Sequence, residues 1–376
     1  MTGTSPFTLR WGILSTGSIA TEFAQDLLVD PATRNSDIRH VIAAVGSRSV
    51  ESADEFVDKL KTSTGPWSWG VQQGLLTQTK AYGSYAEVCN DPNVDVVYVG
   101  TPVTLHHADA KMALLAGKHV LCEKCFTFDL AELDDLIAIA RENNLFLMEA
   151  VWTRFHPIAY KIQDVVFSGR LGKPKRFQAD FSIDFDVDSR PTSDRFLDPA
   201  LGGGSLLDMG PYPSVWAMLL LYQHPDNRST APKFVNSYQR IYRRTNVDER
   251  SRWLLDFENL ECEAQLMTDM TTHGLREATA VLQCQDGDLI IEFGPQKPST
   301  FHIVPRNGER ETYHYPIPAE QGHGLCFEAD EVAQCIRDGK TESERMPLSE
   351  SRVAQSWLDE VRRRGTTCMK DMKGTA

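Results

Sequence analysis

Glu123 and Lys124 stand at the end of the run HVLCEK, which has the apolar density of a buried strand and then leaves it with two opposite charges. In open parallel α/β sheets ligands gather beyond the carboxyl ends of the strands, so an ammonium at that rim is placed to act on a bound molecule. A second candidate is Ser15-Thr16-Gly17-Ser18-Ile19-Ala20, which has the form G-x-G-x-x-G/A with serine in the first place. It follows a short apolar strand and opens a helical pattern, the context in which backbone N–H groups and a helix dipole meet a pyrophosphate. Gly17 permits close approach of a phosphate, and Ala20 permits close packing of helix on strand. Asp208 and Tyr212 form a third group, four residues apart and on one face if segment 205–222 is helical.

The elements around these residues follow from periodicity. LRWGIL (9–14), IRHVIAAVG (38–46), VDVVYVG (94–100), HVLCE (119–123) and LFLMEA (145–150) are near-continuous apolar runs, the pattern of parallel strands covered on both faces. Helical patterns alternate with them, one opened by Ser49 as N-cap, another by Asp129, and one ended by Gly117. Residues 62–79 carry two tryptophans without periodicity and read as a surface insertion loop. Residues 1–150 are therefore expected to form a doubly wound nucleotide-binding domain.

Beyond Trp152 the alternation stops. A bridging helix near 154–172 precedes strand-like runs from KRFQADFSIDF to TFHIVP, with hairpin signals at QDGD (285–288) and RNGE (306–309). One helix interrupts them near 205–222, and two more lie near 325–337 and 349–363. The fold class is thus α/β followed by α+β: a Rossmann domain, then a domain of residues 151–376 on a large, mostly antiparallel open sheet. Its C-terminal helices are free to pack back on the first domain.

A net charge of −13 opposes nucleic acid and anionic membranes as partners. The N-terminus lacks the pattern of a signal peptide and no run approaches a membrane span, so a cytoplasmic enzyme acting on small molecules is expected. Eight scattered cysteines suit reduced thiols. Cys122 and Cys125 make a C-x-x-C without a second pair for zinc and without a helix N-terminus to activate a thiol. His106 and His107 are adjacent rather than one turn apart, and no ligand set accompanies them; no metal is expected.

At the end of the second strand, Ser47 and Arg48 stand where an enzyme using NAD places a carboxylate for the ribose 2′-hydroxyl. A serine and a guanidinium there favour a 2′-phosphate, hence NADP.

GTPVTLHH (100–107), AGKHVLCEK (116–124) and LGGGSLLDMGPY (201–212), in this order after the glycine turn, resemble the Gfo/Idh/MocA oxidoreductases across nearly the whole chain. EAVWTRFHP (149–157), Tyr212 and EADEVAQCIRDGKTES (328–343) resemble the branch of dimeric dihydrodiol dehydrogenases and fungal NADP-dependent D-xylose 1-dehydrogenases. The resemblance implies a catalytic Lys124, with Cys125 replacing the proline of the family's E-K-P motif; a trans Lys124–Cys125 bond is expected, because a non-proline cis bond costs about 2.5–4 kcal/mol. It implies Tyr212 as the base, Asp208 holding a sugar hydroxyl, and Glu123 orienting the lysine or a ribose. It places Thr101, Pro102 and His106 at the cofactor along with Ser15, Thr16, Gly17, Ser18 and Ile19. Trp152 and Phe155 are expected as apolar walls and Arg154 as a clamp beside cofactor and substrate. Relatives pair their open sheets, which implies a homodimer. The reaction so implied is oxidation of D-xylose at its anomeric carbon, with a trans-dihydrodiol as the alternative substrate and a non-catalytic NADP sensor as the rival class.

Overall fold

The apolar runs of the first half become a six-stranded parallel sheet in the computed structural model, which describes residues 6–365. The strands are β1 (Phe7–Leu14), β2 (Ile38–Gly46), β3 (Lys80–Tyr82), β4 (Val96–Val99), β5 (His119–Glu123) and β6 (Leu147–Ala150), in the order β3-β2-β1-β4-β5-β6. That order reverses between β1 and β4, the position at which doubly wound sheets open a crevice. Leu14 is level with Gly46 and with Val99, and Val99 with Cys122. One edge of the sheet therefore carries the exits to Ser15, Ser47, Thr101 and Lys124.

Six helices connect these strands: α1 (Ser18–Leu27), α2 (Val50–Lys61), α3 (Ser68–Gln72), α4 (Tyr85–Asn90), α5 (Val103–Leu115) and α6 (Leu130–Glu142). Ser49 and Asp129 cap α2 and α6 as expected, their side chains accepting from Ser52 N and Glu132 N. The stretch expected to be a plain loop, 62–79, contains α3. Gly70 explains this: its N–H donates to the Leu28 carbonyl at 3.1 Å, and a Cβ there would come within 2.6 Å of Leu28. Trp67 stacks on His323, ring centres 5.4 Å apart.

After α7 (Pro157–Phe167) and β7 (Pro174–Ser182) come α8 (Ser205–Met209) and α9 (Pro211–Ala217), the latter running on as a π-helical turn over Met218–Tyr222. The strands β8 (Lys233–Ile241), β9 (Asp248–Phe257), β10 (Cys262–Asp269), β11 (Ala280–Cys284), β12 (Gly287–Ile291), β13 (Thr300–Pro305) and β14 (Glu311–His314) follow, then α10 (Cys326–Arg337) and α11 (Leu348–Arg364). The second sheet has eight strands in the order β14-β13-β12-β11-β7-β10-β9-β8, antiparallel except where β7 meets β10. Alternate residues such as Phe177, Ala179 and Phe181 are buried on one face, while Gln178, Arg252 and Gln265 are exposed on the other.

The chain forms two compact units: residues up to Trp152 together with Ile317–Leu348, and Thr153–Pro316 together with the residues from Ser349 onward. The expected boundary at 150 lies two residues earlier, and α10 belongs to the first unit. The seven described cysteines are free and buried; Cys368 lies outside the described residues. Among the described residues no helix is long and apolar enough to cross a membrane, and no metal-ligating cluster is found.

Asp330 on α10 ties the first unit together. Its carboxylate takes Arg34 Nε at 2.7 Å and Nη2 at 3.0 Å, and His40 Nε2 lies 2.9 Å away while His40 Nδ1 accepts from Trp11 Nε1. Burial alone would raise the Asp330 pKa, but the hydrogen bonds from His40 and Arg34 outweigh it and hold it at about 2. Asp330→Asn is expected to cost about 3–5 kcal/mol of unfolding free energy at pH 7, as for a broken buried pair. Because the folded pKa lies below the ordinary 3.8, the wild-type advantage is fully present above about pH 4 and shrinks as pH falls through about 2. Urea titrations of both proteins between pH 7 and pH 2 check this.

Candidate active site

Gly17 sits at the N-terminus of α1, and a Cβ placed on it would touch only Ser15 Oγ at 3.4 Å, so a phosphate has open access to the backbone there. Ser15, in the place of the motif's first glycine, holds φ at +97°, a region that L side chains rarely adopt. Its Oγ accepts from the Gly17 N–H at 3.1 Å, a local bond that helps hold the turn. Thr16 Oγ1 lies 3.5 Å from Ser47 Oγ and 3.4 Å from Ser52 Oγ, so the turn and the end of β2 share a cluster of hydroxyls. Arg48 follows, exposed, at the start of α2. The turn, the helix end, the hydroxyls and the guanidinium fit a dinucleotide with a phosphorylated ribose, and no carboxylate stands at the end of β2 to compete.

The rim at β5 is built from buried hydrogen bonds. Glu123 accepts from Tyr98 Oη at 2.7 Å and from the Lys124 N–H at 3.2 Å. Burial raises the Glu123 pKa to about 7, against the pull of the Lys124 charge. His106 spans two carbonyls, with Nε2 2.7 Å from Thr101 O and Nδ1 2.8 Å from Cys125 O, and the Phe126 N–H donates to Glu149 at 3.2 Å. The Lys124–Cys125 bond is cis, which corrects the expected trans form: the carbonyl of Cys125 and the N–H of Phe126 are claimed by His106 and Glu149, so the surroundings define the backbone in the absence of proline.

Of the residues expected at the cofactor, Ser15, Thr16, Gly17, Ser47, Thr101, Glu123 and Lys124 gather along this one edge, with Trp152 following β6. Thr101 and His106 face inward: the Thr101 hydroxyl donates to Asp109 at 2.8 Å, and His106 braces the turn after Lys124. His107 turns instead to Asp135, 2.7 Å away. Cys122 is fully buried, and burial pushes its thiol pKa up, the reverse of what a redox thiol needs.

In the second unit, α8 and α9 run on through Gly210, whose backbone has helical angles, so Asp208 and Tyr212 are one turn apart on the same face. Tyr212 is buried, with Phe181 edge-on at 5.3 Å. Asp208 takes Arg195 Nη1 at 3.1 Å. The entry to α8 is fixed by Asp248, the first residue of β9. Its Oδ2 accepts from Ser205 Oγ (2.7 Å), Ser251 Oγ (2.7 Å) and Leu206 N (2.9 Å), doing from a distant strand what an N-cap does locally. The glycine before the helix follows from this: Gly204 has φ +117°, and a Cβ there would lie 2.3 Å from Asp248 Oδ1. Arg154 is 1% exposed and its guanidinium meets Glu350 at 2.5 Å, within the second unit.

Tyr98, Glu149, Ser52, Arg195 and Asp248 are the contributors that sequence reasoning missed. Glu149 had a signal, since it opens the noted segment EAVWTRFHP near the end of β6. Asp248 had none: it stands 43 positions from the serine it binds.

A 3-2-1-4-5-6 parallel sheet with a phosphate turn at its switch point defines the dinucleotide-binding class of protein. Residues 9–151 match the family described as an oxidoreductase family with an NAD-binding Rossmann fold, and residues 160–290 match the GFO/IDH/MocA C-terminal domain. The chain belongs to the Gfo/Idh/MocA oxidoreductases. It is 37% identical to a D-xylose 1-dehydrogenase (NADP(+)) of Hypocrea jecorina, over 97% of this chain and 94% of the relative. It is 31% identical to the trans-1,2-dihydrobenzene-1,2-diol dehydrogenase of Homo sapiens, over 97% and 99%. A solved 3-ketoreductase from Actinomadura kijaniata, in complex with NADP and TDP-benzene, superposes with a TM-score of 0.77 at 25% identity, covering 95% of this chain and 98% of that one.

Asp248→Ala strips the α8 entry of its acceptor and leaves buried donors unmet. It is expected to lower stability by about 2–4 kcal/mol, measured by chemical denaturation.

Proposed function

We propose that the chain is an NADP-dependent dehydrogenase that oxidises the anomeric carbon of D-xylose to the lactone. The observation that carries this reading is the sheet edge itself, where a phosphate turn, a Ser47-Arg48 pair in place of a carboxylate, and a lysine with a pinned main chain emerge side by side. The relationship to the fungal xylose dehydrogenase over almost the full length of both chains supports the substrate.

In this reading Ser15–Ile19 bind the pyrophosphate, Ser47 and Arg48 the 2′-phosphate, and Pro102 and Trp152 border the nicotinamide half, while Thr101, bonded inward to Asp109, holds the turn before Pro102. When bound, NADP supplies the hydride acceptor. Tyr212 takes the proton of the C1 hydroxyl as the C1–H bond breaks with its electron pair and the C1=O bond forms. A phenol with an ordinary pKa near 10 is a weak base at neutral pH. A cation such as that of Lys124 favours the ionised form of a hydroxyl brought beside it, which is a use for a lysine at the rim. Asp208 accepts from a sugar hydroxyl, and Phe155 contributes an apolar wall. Arg154, buried against Glu350, serves better as an anchor for that wall than as a clamp. Glu123 and His106 hold the backbone of the lysine.

The 31% identical dihydrodiol dehydrogenase supports trans-dihydrodiols as a second substrate class for the same groups. A non-catalytic NADP sensor is disfavoured, because it has no use for the Lys124 and Tyr212 pair. We also place the protein in the cytoplasm, where free thiols persist. We propose a homodimer through the outer face of the second sheet, where Gln178, Arg252, Leu254 and Met267 line a groove of about 740 Å³ and Tyr238 and Leu275 are 57% and 70% exposed.

Spectrophotometric NADPH formation on D-xylose, D-glucose, L-arabinose and a trans-dihydrodiol tests the reading; no activity on any of them overturns it. Tyr212→Phe is expected to lower kcat by about 10²–10⁴ with NADP affinity unchanged, and undiminished turnover removes the proposed base. Arg48→Ala is expected to reduce the preference for NADP over NAD by about tenfold or more, and an unchanged ratio refutes the 2′-phosphate assignment.

A further inference from the structure

Arg195, in the loop between β7 and α8, is held far more closely than an ordinary surface arginine. Its guanidinium carbon lies 3.9 Å from the centre of the Phe196 ring, and Phe196 stacks on Phe185 at 4.1 Å with 20° between the ring planes. Arg190 sits 5.1 Å from the same Phe196 ring, donates through Nε to the Phe185 carbonyl at 2.6 Å, and pairs with Asp194 at 2.8 Å. The result is a braced aromatic platform with the planar cation of Arg195 laid on it. That cation meets Asp208 Oδ1 at 3.1 Å, with side chains 61% and 21% exposed respectively.

Stability does not account for this construction, because exposed ion pairs contribute only about 0–1 kcal/mol. Position does. Asp208 is one helical turn before Tyr212, so the Arg195–Asp208 pair stands beside the proposed base. A fixed guanidinium offers several N–H donors and a carboxylate offers only acceptors. A hydroxyl, donor and acceptor at once, matches such a pair. Aldopentoses and trans-dihydrodiols share one feature around the carbon to be oxidised: the neighbouring carbon carries a hydroxyl.

We propose that Arg195 and Asp208 form a clamp for the hydroxyl on the carbon adjacent to the one oxidised, with Arg195 as the specificity-determining member. The inference rests on the reading of Tyr212 as the base. It assigns the substrate class as vicinal diols, cyclic hemiacetals included, rather than sugars as such. Arg195 acts by donating to the oxygen of that second hydroxyl, whose O–H in turn donates a hydrogen bond to the Asp208 carboxylate.

The test compares kcat/KM for D-xylose and for 2-deoxy-D-xylose, which lacks the hydroxyl at C2, in the full-length enzyme with NADP. Wild type is expected to favour D-xylose by about 100-fold, since a site built to bond a hydroxyl rejects the analogue without it. In Arg195→Ala that ratio is expected to fall to within about threefold of unity, mainly through a rise in KM for D-xylose. Arg195→Lys, which keeps the charge but loses the planar fork, is expected to fall between the two. NADP affinity, read by fluorescence titration, stays within about twofold and reports that the first unit is intact. An equal loss on both sugars, or an Arg195→Ala enzyme that keeps the wild-type ratio, overturns the clamp. If Tyr212→Phe still turns over and retains the 100-fold ratio, the clamp stands and the base assignment falls. A wild type inert toward every vicinal diol overturns both.

Discussion

The backbone on either side of Lys124 is fixed by groups that the surrounding protein has removed from water, and the rest of the site depends on that fixation. Glu123 is held by Tyr98, the Cys125 carbonyl lies against His106, and the Phe126 N–H is given to Glu149. Each partner comes from a different strand or helix of the parallel sheet, and each is buried. A buried donor or acceptor left unmet costs about 1–3 kcal/mol, so these bonds constrain the turn together. Where a proline would set the main chain by its ring, this chain sets it by three side chains. Lysine has a long flexible side chain, and fixing its main chain narrows the region that its ammonium can reach.

The second unit solves the same problem with a different device. The proposed role of Tyr212, meeting a substrate hydroxyl, calls for a helix whose entry angle does not drift. Asp248 supplies this by accepting three hydrogen bonds at the start of α8. Burial raises the Asp248 pKa while the serine hydroxyls and the Leu206 N–H act against it, so those donors compensate a carboxyl group that is fully out of solvent. The glycine run before α8 leaves room for that carboxyl group, so the sequence signature LGGGSLLDMGPY encodes a packing requirement.

Much of this was legible in the sequence, for physical reasons that differ by element. Strands covered on both faces leave unbroken apolar runs, so β1, β2, β4, β5 and β6 stood out, and in the second sheet the QDGD and RNGE turns marked the β11–β12 and β13–β14 hairpins. Short edge elements do not leave such runs: β3 has three residues, β14 has four, and neither is fully buried along its length. The phosphate turn and the rim lysine were readable because they sit at strand exits, where local order implies spatial position. Tyr98 and Asp248 were not, because their roles are set by contacts across 25 and 43 positions of chain. The backbone form of the Lys124–Cys125 bond was misread for the same reason, since intrinsic preference describes the peptide and not its neighbours.

The central proposal is that Tyr212 is the base for the C1 hydroxyl and that the reaction also needs the charge of Lys124. The pH dependence of kcat/KM for D-xylose, measured for the wild type and for Lys124→Met, tests it most directly. In the wild type the rate should fall on the acid side, as a base that must be deprotonated requires, and the variant should lose about 10²-fold or more in kcat/KM. A wild-type rate without an acid limb, or a Lys124→Met enzyme with undiminished kcat/KM, would contradict the account.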